Sequence, residues 1–431
     1  MKNILILFVC SIFAFITAGC ARSSDQLIEN WAQFRGPNGQ GISQATGLPV
    51  NWSAEENIAW KTEIPGEGWS SPIVWNNHIF LTTTTEEGKN CHVIAVDRIT
   101  GRILWDNIVF TQAPNQQRHD MNSYATPTPV TDGNTVYAVF SGGGIAALDF
   151  NGNVRWINND LDFYSAHAKG TSPILYDDLF ILAVNHSNTE DPRRLGWQLP
   201  WDRSFLLAID KNTGIERWRT LRGMTRIAHS VPIVMQVNGR DQIISAVGDV
   251  IQGFNPADGR LIWTITTSGE PSVPVPVIGN GLIYTAPTGG APIFAVRPDG
   301  QGDCTETHIV WERRHPNTTP LMSSFLFVDP FLYTASGVFF NCLDAATGEH
   351  LWQLRLDTGP LNPSPLYADG KIYLLSENGI TVVLRPSADP TVPAEIIATN
   401  ELNGDLTRAS IAVAGNQLII RTHHHLWCIG R

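Results

Sequence analysis

Short apolar runs broken by turn-forming pairs recur from about residue 57 to the last residues of the chain. Ile73-Val74-Trp75 is followed by Asn76-Asn77 and then by His78-Ile79-Phe80-Leu81. Far downstream, Leu366 is followed by Asp369-Gly370 and then by Lys371-Ile372-Tyr373-Leu374. Runs this short, rich in Val, Ile, Tyr and Phe and bounded by Asn, Asp and Gly, predict β-strands joined by tight hairpins.

A longer period lies over the short one. Ala95-Val96-Asp97 leads to Thr100-Gly101 and Trp105, and Ala208-Ile209-Asp210 leads to Thr213-Gly214 and Trp218. Ala147-Leu148-Asp149 with Trp156, Gly253-Phe254-Asn255 with Trp263, and Cys342-Leu343-Asp344 with Trp352 repeat the unit. Ala295-Val296-Arg297 with Trp311 is the same unit with a longer turn. The glycine can take the positive φ of a tight turn, and the Asp or Asn side chain can bond the turn amides. The tryptophan then falls on the next strand, where it can cover a neighbouring unit. Each unit opens on Ser or Thr near Pro, as in Ser70-Ser71-Pro72 and Thr171-Ser172-Pro173.

The order is therefore strand A after Ser-Pro, strand B after a hairpin, strand C ending in Asp, and strand D carrying Trp. Such four-stranded units predict the blades of an all-β propeller. Full blades begin near Trp69, Tyr124, Lys169, Ala228, Ser272, Leu321 and Leu361; the seventh has Ile396-Ile397 in place of Trp. An eighth starts at Arg408 and reaches strand C at Leu426-Trp427-Cys428-Ile429 without a strand D. Asn57-Ile58-Ala59-Trp60-Lys61-Thr62 is an orphan strand D with its Trp. The expected fold is an eight-bladed propeller over 57–431, closed by this outer strand joining the last blade, which leaves no open sheet edge at the seam. Trp60, Trp105, Trp156, Trp218, Trp263, Trp311 and Trp352 are the expected docking residues.

Composition agrees with this architecture. Among 431 residues there are 37 Gly, 27 Pro and 14 Trp, and charged residues are 16%. The net charge of −11 argues against a nucleic-acid-binding surface. Residues 1–19 form a leader: Lys2, an apolar run from Ile4 to Ile16 too short to span a bilayer, then Thr17-Ala18-Gly19-Cys20. Residues 20–56 form an N-terminal extension. Of six cysteines, Cys10 and Cys20 lie in and at the end of the leader, and Cys91, Cys304, Cys342 and Cys428 are scattered. No CxxC, vicinal pair or CxxCH occurs, which removes zinc ribbons, thioredoxin-like pairs and c-type haem attachment.

The leader resembles that of bacterial lipoproteins, with Thr17 standing where that motif prefers Leu. The resemblance implies lipidation of Cys20 and anchoring to the outer membrane from the periplasm, the membrane being reached through that anchor only; plain secretion with a cut near Gly19 is the alternative. The blade resembles the repeat of the pyrroloquinoline-quinone (PQQ) family, and Trp31-Ala32-Gln33-Phe34-Arg35-Gly36-Pro37 resembles the start of secreted PQQ-like propellers. Relatives of this kind include BamB-like assembly lipoproteins and quinoprotein dehydrogenases. The resemblance implies an exported, non-enzymatic binding or scaffold protein of the cell envelope, whose partner is an envelope protein or a peptide. Alternatives are a quinoprotein-like oxidoreductase, with PQQ and calcium, or a carbohydrate-binding propeller. The vicinal Cys-Cys, calcium-ligand and catalytic Asp motifs of the dehydrogenases have no match here, so no cofactor is expected on the leading reading.

Positions before each strand A are the candidate binding residues, because the D–A loops of a propeller line one mouth of its channel. They supply Trp69, Tyr124, His167, Lys169, Arg226, His229, His315 and Arg408. This aromatic, imidazole and cationic set predicts a funnel for an anionic or aromatic ligand, or for an acidic peptide. The longest loop, His186 to Arg203, carries Arg193, Arg194, Trp197 and Trp201 and is the candidate lid. Asp210-Lys211-Asn212-Thr213-Gly214 reads as a blade turn rather than a calcium loop, since the later Glu ligand is missing. His423-His424-His425 reads as part of strand C, with alternating faces. No metal site and no catalytic residue is assigned, and GxSxG and HExxH are absent.

Overall fold

The computed structural model describes residues 30–114, 117–192, 197–267, 269–288 and 290–430. Its strands form eight sheets. The first blade comprises Ile73–Trp75, His78–Thr85, Asn90–Asp97 and Ile103–Thr111, antiparallel in chain order from the channel outwards. Six more blades follow, beginning at Val130, Ile174, Ile233, Val277, Leu326 and Leu366. The eighth takes Ala412–Ala414, Gln417–Arg421 and His425–Ile429 from the C-terminal end and Ile58–Glu63 from the N-terminal side. Thr62 faces Leu426 and Trp60 faces Cys428 across this seam. Two flanking bonds extend it, Ile64 N–H to His424 O and Gly430 N–H to Asn57 O, both 2.8 Å.

Burial explains why the patterning looks as it does. Strand B of the first blade is buried at six consecutive positions because neighbouring blades cover both faces. Strand D, at the perimeter, alternates half-buried and exposed residues.

The C–D turn is the joint between blades. Asp97 Oδ1 accepts from Ile99 N–H, Thr100 N–H and the Thr100 hydroxyl, at 3.1, 2.7 and 2.8 Å. Gly101, at φ 72°, lies under the Trp60 ring, where a Cβ would come within 2.5 Å of a ring carbon. Trp60 Nε1 donates to Arg98 O at 2.8 Å, and Thr62 Oγ1 donates to Gly101 O at 2.6 Å. Trp105, Trp156 and Trp218 bond the next blade's turn in the same way, to Phe150 O, Lys211 O and Pro256 O. Trp311 does so to Ala345 O.

Trp263 and Trp352 differ. Trp263 turns into its own blade, donating to Gln242 Oε1 at 2.9 Å and covering Gly253. The longer turn of the fifth blade sends Gly302–Asp303 to pair in parallel beside Trp263 and Thr264, where a docking turn would otherwise sit. Trp352 packs on Tyr333 and Phe340 of its own blade.

Residues 31–43 cross the A–B-turn end of the channel. Trp31 exchanges both backbone bonds with Val74, and Ile42–Ser43 pairs in parallel with Tyr367 and Ala368. Between them Arg35, 1% exposed, donates to Gly39 O, Gln40 O and Phe325 O. Burial pulls its pKa down to about 9, which leaves it charged at neutral pH. One end of the channel is thereby plugged.

A second buried arginine breaks the repeat. The strand-B position two residues beyond the A–B pair is Ala183, Ala246, Ala286 and Ala335 in blades three to six, and Arg421 in the eighth. Arg421 Nη1 reaches across the closure seam to Ser70 O, Ser70 Oγ and Thr82 O at 3.1, 2.6 and 2.8 Å. It ties the last blade to the first with charge-assisted bonds, which are stronger than neutral ones.

Candidate functional site: a blind well in the channel

With one end plugged, the channel becomes a well of about 460 Å³, within the range of small-molecule pockets. Its wall is two stacked rings, each taking one residue from every blade. The lower ring is Ser71, Thr128, Ser172 and Val231, then Val275, Ser324, Ser364 and Ser410. Two residues earlier in each blade is the upper ring: Trp69, Thr126, Gly170 and His229, then Val273, Met322, Asn362 and Arg408. Positions i and i+2 of an extended segment share a face, so the segment leading into each innermost strand contributes both. Phe34 of the plug is the floor.

The lower ring is also a belt that holds blades together. Ser71 N–H donates to Thr128 Oγ1 and Thr128 N–H to Ser172 Oγ, both 2.9 Å. Val275, Ser324, Ser364 and Ser410 donate in turn to Ser324, Ser364, Ser410 and Ser71, at 2.9 to 3.1 Å. The valines interrupt the belt at blades four and five.

Three imidazoles stand at the mouth. His167 lies 5.2 Å from His119 and 6.1 Å from His229 between ring centroids. Trp197 Nε1 donates to His167 Nε2 at 2.9 Å, and their rings are stacked. Gly170 N–H donates to His229 Nδ1, and Met121 N–H to His119 Nδ1, both at 3.2 Å. Burial, with the His119 ring beside it, lowers His167 to about 4; burial, with His167 and Lys169 near, lowers His229 to about 3. Both are neutral at pH 7. The hydrogen-bond pattern then leaves the proton on His167 Nδ1 and on His229 Nε2.

Of the residues expected at the mouth, Trp69, His167, His229 and Arg408 line the well, and so does Trp197. Tyr124, Lys169 and Arg226 do not. Tyr124 is buried under Gly88 with the Arg118 guanidinium over its ring. Lys169, 2% exposed, points its Nζ at the Phe163 ring, 3.8 Å away, and burial lowers its pKa to about 7. Arg226 forms an ion pair with Asp249. His315 sits outside the well beside His350 and bonds Gly348 O. Trp201 bridges Thr225 through its backbone and packs edge-on against His186, fixing the base of the long loop. Arg193, Arg194 and Cys20 lie outside the described residues.

The expected cationic funnel is therefore not what lines this well. Arg408 Nε bonds Glu377 Oε1 at 2.7 Å, and the same oxygen accepts from Asn362 Nδ2 at 2.8 Å. Each cation is either neutralised by a carboxylate or turned away. The triple histidine also differs from expectation. Only His425 is in strand C; His423 and His424 form the tight turn before it, so His424 and His425 both reach Asp405, at 3.1 and 3.3 Å. Among the described residues, no group of three or more His, Cys, Asp or Glu side chains converges to hold a metal.

Sequence reasoning missed His119, Met121, Phe34 and the lower ring. The signal for the ring was present: it is the residue immediately before Pro or its replacement at the start of each strand A. Nothing in the sequence signalled that the loop before the second blade folds over the mouth.

The chain carries a PQQ-like β-propeller fold. Residues 42–197 match the family model described as outer membrane protein assembly factor BamB. The solved structure of a europium-containing methanol dehydrogenase is similar at TM-score 0.69 and 10% identity, over 94% of this chain and 98% of that one. BamB from Moraxella catarrhalis is similar at TM-score 0.57 and 15% identity, over 86% and 98%. Ika8, a computationally designed protein, is similar at 0.55 and 10%, over 86% and 100%. No curated protein matches the sequence. The propeller fold is thus shared with BamB and with the methanol dehydrogenase alike. Identities this low carry fold and not function. Among the described residues no helix is long and apolar enough to cross a membrane.

Proposed function

We propose that this propeller is a small-molecule-binding protein whose site is the blind well. The observation that supports this is the well itself. It is enclosed by sixteen ring positions, floored by Phe34, and faced at its mouth by Trp69 and Trp197. Protein docking needs a broad surface, whereas a deep concave site with a few placed polar groups suits a small ligand. This departs from the scaffold role implied by the sequence. Export, lipidation of Cys20 and a place in the periplasm at the outer membrane belong to the same proposal and rest on the leader.

A quinoprotein-like oxidoreductase is the second reading. It is favoured by the whole-chain overlap with the methanol dehydrogenase, which is greater than that with BamB. The donor set of the well decides whether that cofactor suits it. PQQ carries three carboxylates, and the lining offers Arg408 already paired with Glu377, and neutral imidazoles. These residues do not fit the group.

Filling the well tests the binding reading. Gly170→Trp, with Ser364→Trp on another arc, is expected to abolish calorimetrically measured binding of small aromatic probes while each variant keeps the far-UV spectrum of the parent. Equal binding by parent and both variants would move the site elsewhere.

A further inference from the structure

The well is not uniform around its circumference, and the asymmetry specifies a ligand. From blade four to blade six four of the six ring positions are apolar, Val231, Val273, Val275 and Met322, backed at the mouth by Ile227 and Leu321, and His229 and Ser324 are the two polar ones. From blade seven round to blade two they are Asn362, Ser364, Arg408 and Ser410, then Ser71 and Thr128 below Trp69 and Thr126. One arc is mainly hydrocarbon and the other mainly hydroxyl and amide.

The hydroxyls of the lower ring have a fixed polarity. Thr128, Ser172, Ser324, Ser364, Ser410 and Ser71 each accept a backbone N–H from the preceding blade. None of the six hydroxyls donates to a described residue, so each proton is free to be given to a ligand. His167 Nδ1–H and His229 Nε2–H add two more donors, because their other nitrogens already accept from Trp197 and Gly170. The polar side of the well therefore gives protons and takes few.

Glu377 holds Arg408, and Asp249 holds Arg226 outside the lining. Glu270, exposed at the mouth, adds a carboxylate to the lining. A carboxylate entering this enclosed space would lose its water and meet neutral donors, an arginine already paired and the like charge of Glu270. Burying an ion on such terms costs more than burying a neutral acceptor.

We infer that the well binds an uncharged, planar, amphipathic molecule, with its apolar body against blades four to six and carbonyl or ether oxygens toward the hydroxyl and imidazole donors. This rests on the binding reading above, and it departs from the anionic cofactor of the fold's dehydrogenases.

Four probes on the full chain test it by calorimetry at pH 7.5: 2-acetylnaphthalene, 2-ethylnaphthalene, 2-naphthoate, and PQQ with calcium. The first is neutral with an acceptor, the second neutral without one, and the others anionic. 2-Acetylnaphthalene is expected to bind about tenfold more tightly than each of the other three, a difference worth about 1.4 kcal/mol. His229→Phe is expected to erase most of its advantage over 2-ethylnaphthalene. Tighter binding of 2-naphthoate or PQQ, lost in Gly170→Trp, would overturn the ligand class and leave the well as the site. Equal affinity of the two neutral probes would overturn the donor argument. Binding of every probe unchanged in both filled variants would overturn the site itself, and the ligand class with it.

Discussion

A chain that starts at residue 67 is expected not to fold to a cooperative native state, whereas one that starts at residue 30 keeps the melting temperature of the full chain. The longer truncation removes Ile58–Glu63, the outer strand of the eighth blade. Strand C of that blade, His425–Ile429, then loses its outer ladder, and Trp427 and Leu426, both buried, lose their cover. The turn at Gly101 loses Trp60 and Thr62, which bond Arg98 O and Gly101 O. The Arg421 clasp, the Ser410–Ser71 belt bond and the Arg98–Gln417 bond would have to hold the first and last blades together. A chain starting at residue 44 separates the two N-terminal devices, since it keeps the closing strand and loses the plug with Arg35. It is expected to fold with a lowered melting temperature. Trp60→Ala, which deletes only the docking ring, is expected to cost about 3 kcal/mol in chemical denaturation, toward the low end for a tryptophan because the ring is half-buried. A cooperative, unshifted melt from the chain starting at residue 67 would show that closure does not depend on this strand.

Much of this closure was legible because blades repeat. A four-strand period must place an orphan D strand opposite a blade that lacks one, and Ile58–Glu63 was the strand left over. The blade turns were legible for a local reason: at Asp97, Asp210 and Asp344 the Asp, Thr and Gly of the C–D turn satisfy one another within five residues. Non-local contacts set the rest. Trp263 fits the repeat as well as Trp218 does, yet it turns inward because Gly302–Asp303, about forty residues later, occupies its docking place. Lys169 and Arg226 sit at mouth positions in sequence. Whether they face the channel depends on Phe163 and Asp249, which the repeat does not predict. Arg421 was invisible for the opposite reason. In one chain it reads as a surface cation, and only the strand register shows it at a position that is alanine in four other blades. The site was thus legible as a location and not as a chemistry: the mouth was found, and its charge was not.

Acid is expected to unfold the protein in two separable stages, the first belonging to buried histidines. Burial lowers His167 and His186 to about 4 and His229 to about 3, from an ordinary value of 6.5. Between about pH 4 and 6.5 the unfolded chain binds protons at these sites and the folded chain does not. The unfolded state is therefore favoured as pH falls, and stability rises with pH through that window and levels off above it. Each unit of difference corresponds to about 1.4 kcal/mol, so the three sites together make a loss of several kcal/mol even after the partial exposure of His229 is discounted. The turn carboxylates act lower. Asp97, Asp149 and Asp210 are held below 3.8 by bonds from their own turns, chiefly the Thr100 hydroxyl for Asp97 and the Asn153 side chain for Asp149. Their contribution is present above about pH 4 and lost beneath it. Urea denaturation at half-unit pH steps should show a first fall between pH 6.5 and 4 and a second below. His229→Gln should flatten the first and leave the second unchanged, since its amide gives Gly170 N–H an acceptor without a titrating group. A first stage that persists undiminished in His229→Gln combined with His167→Gln would assign acid sensitivity to the carboxylates alone, and would mean that the imidazoles at the mouth are solvated enough to titrate normally.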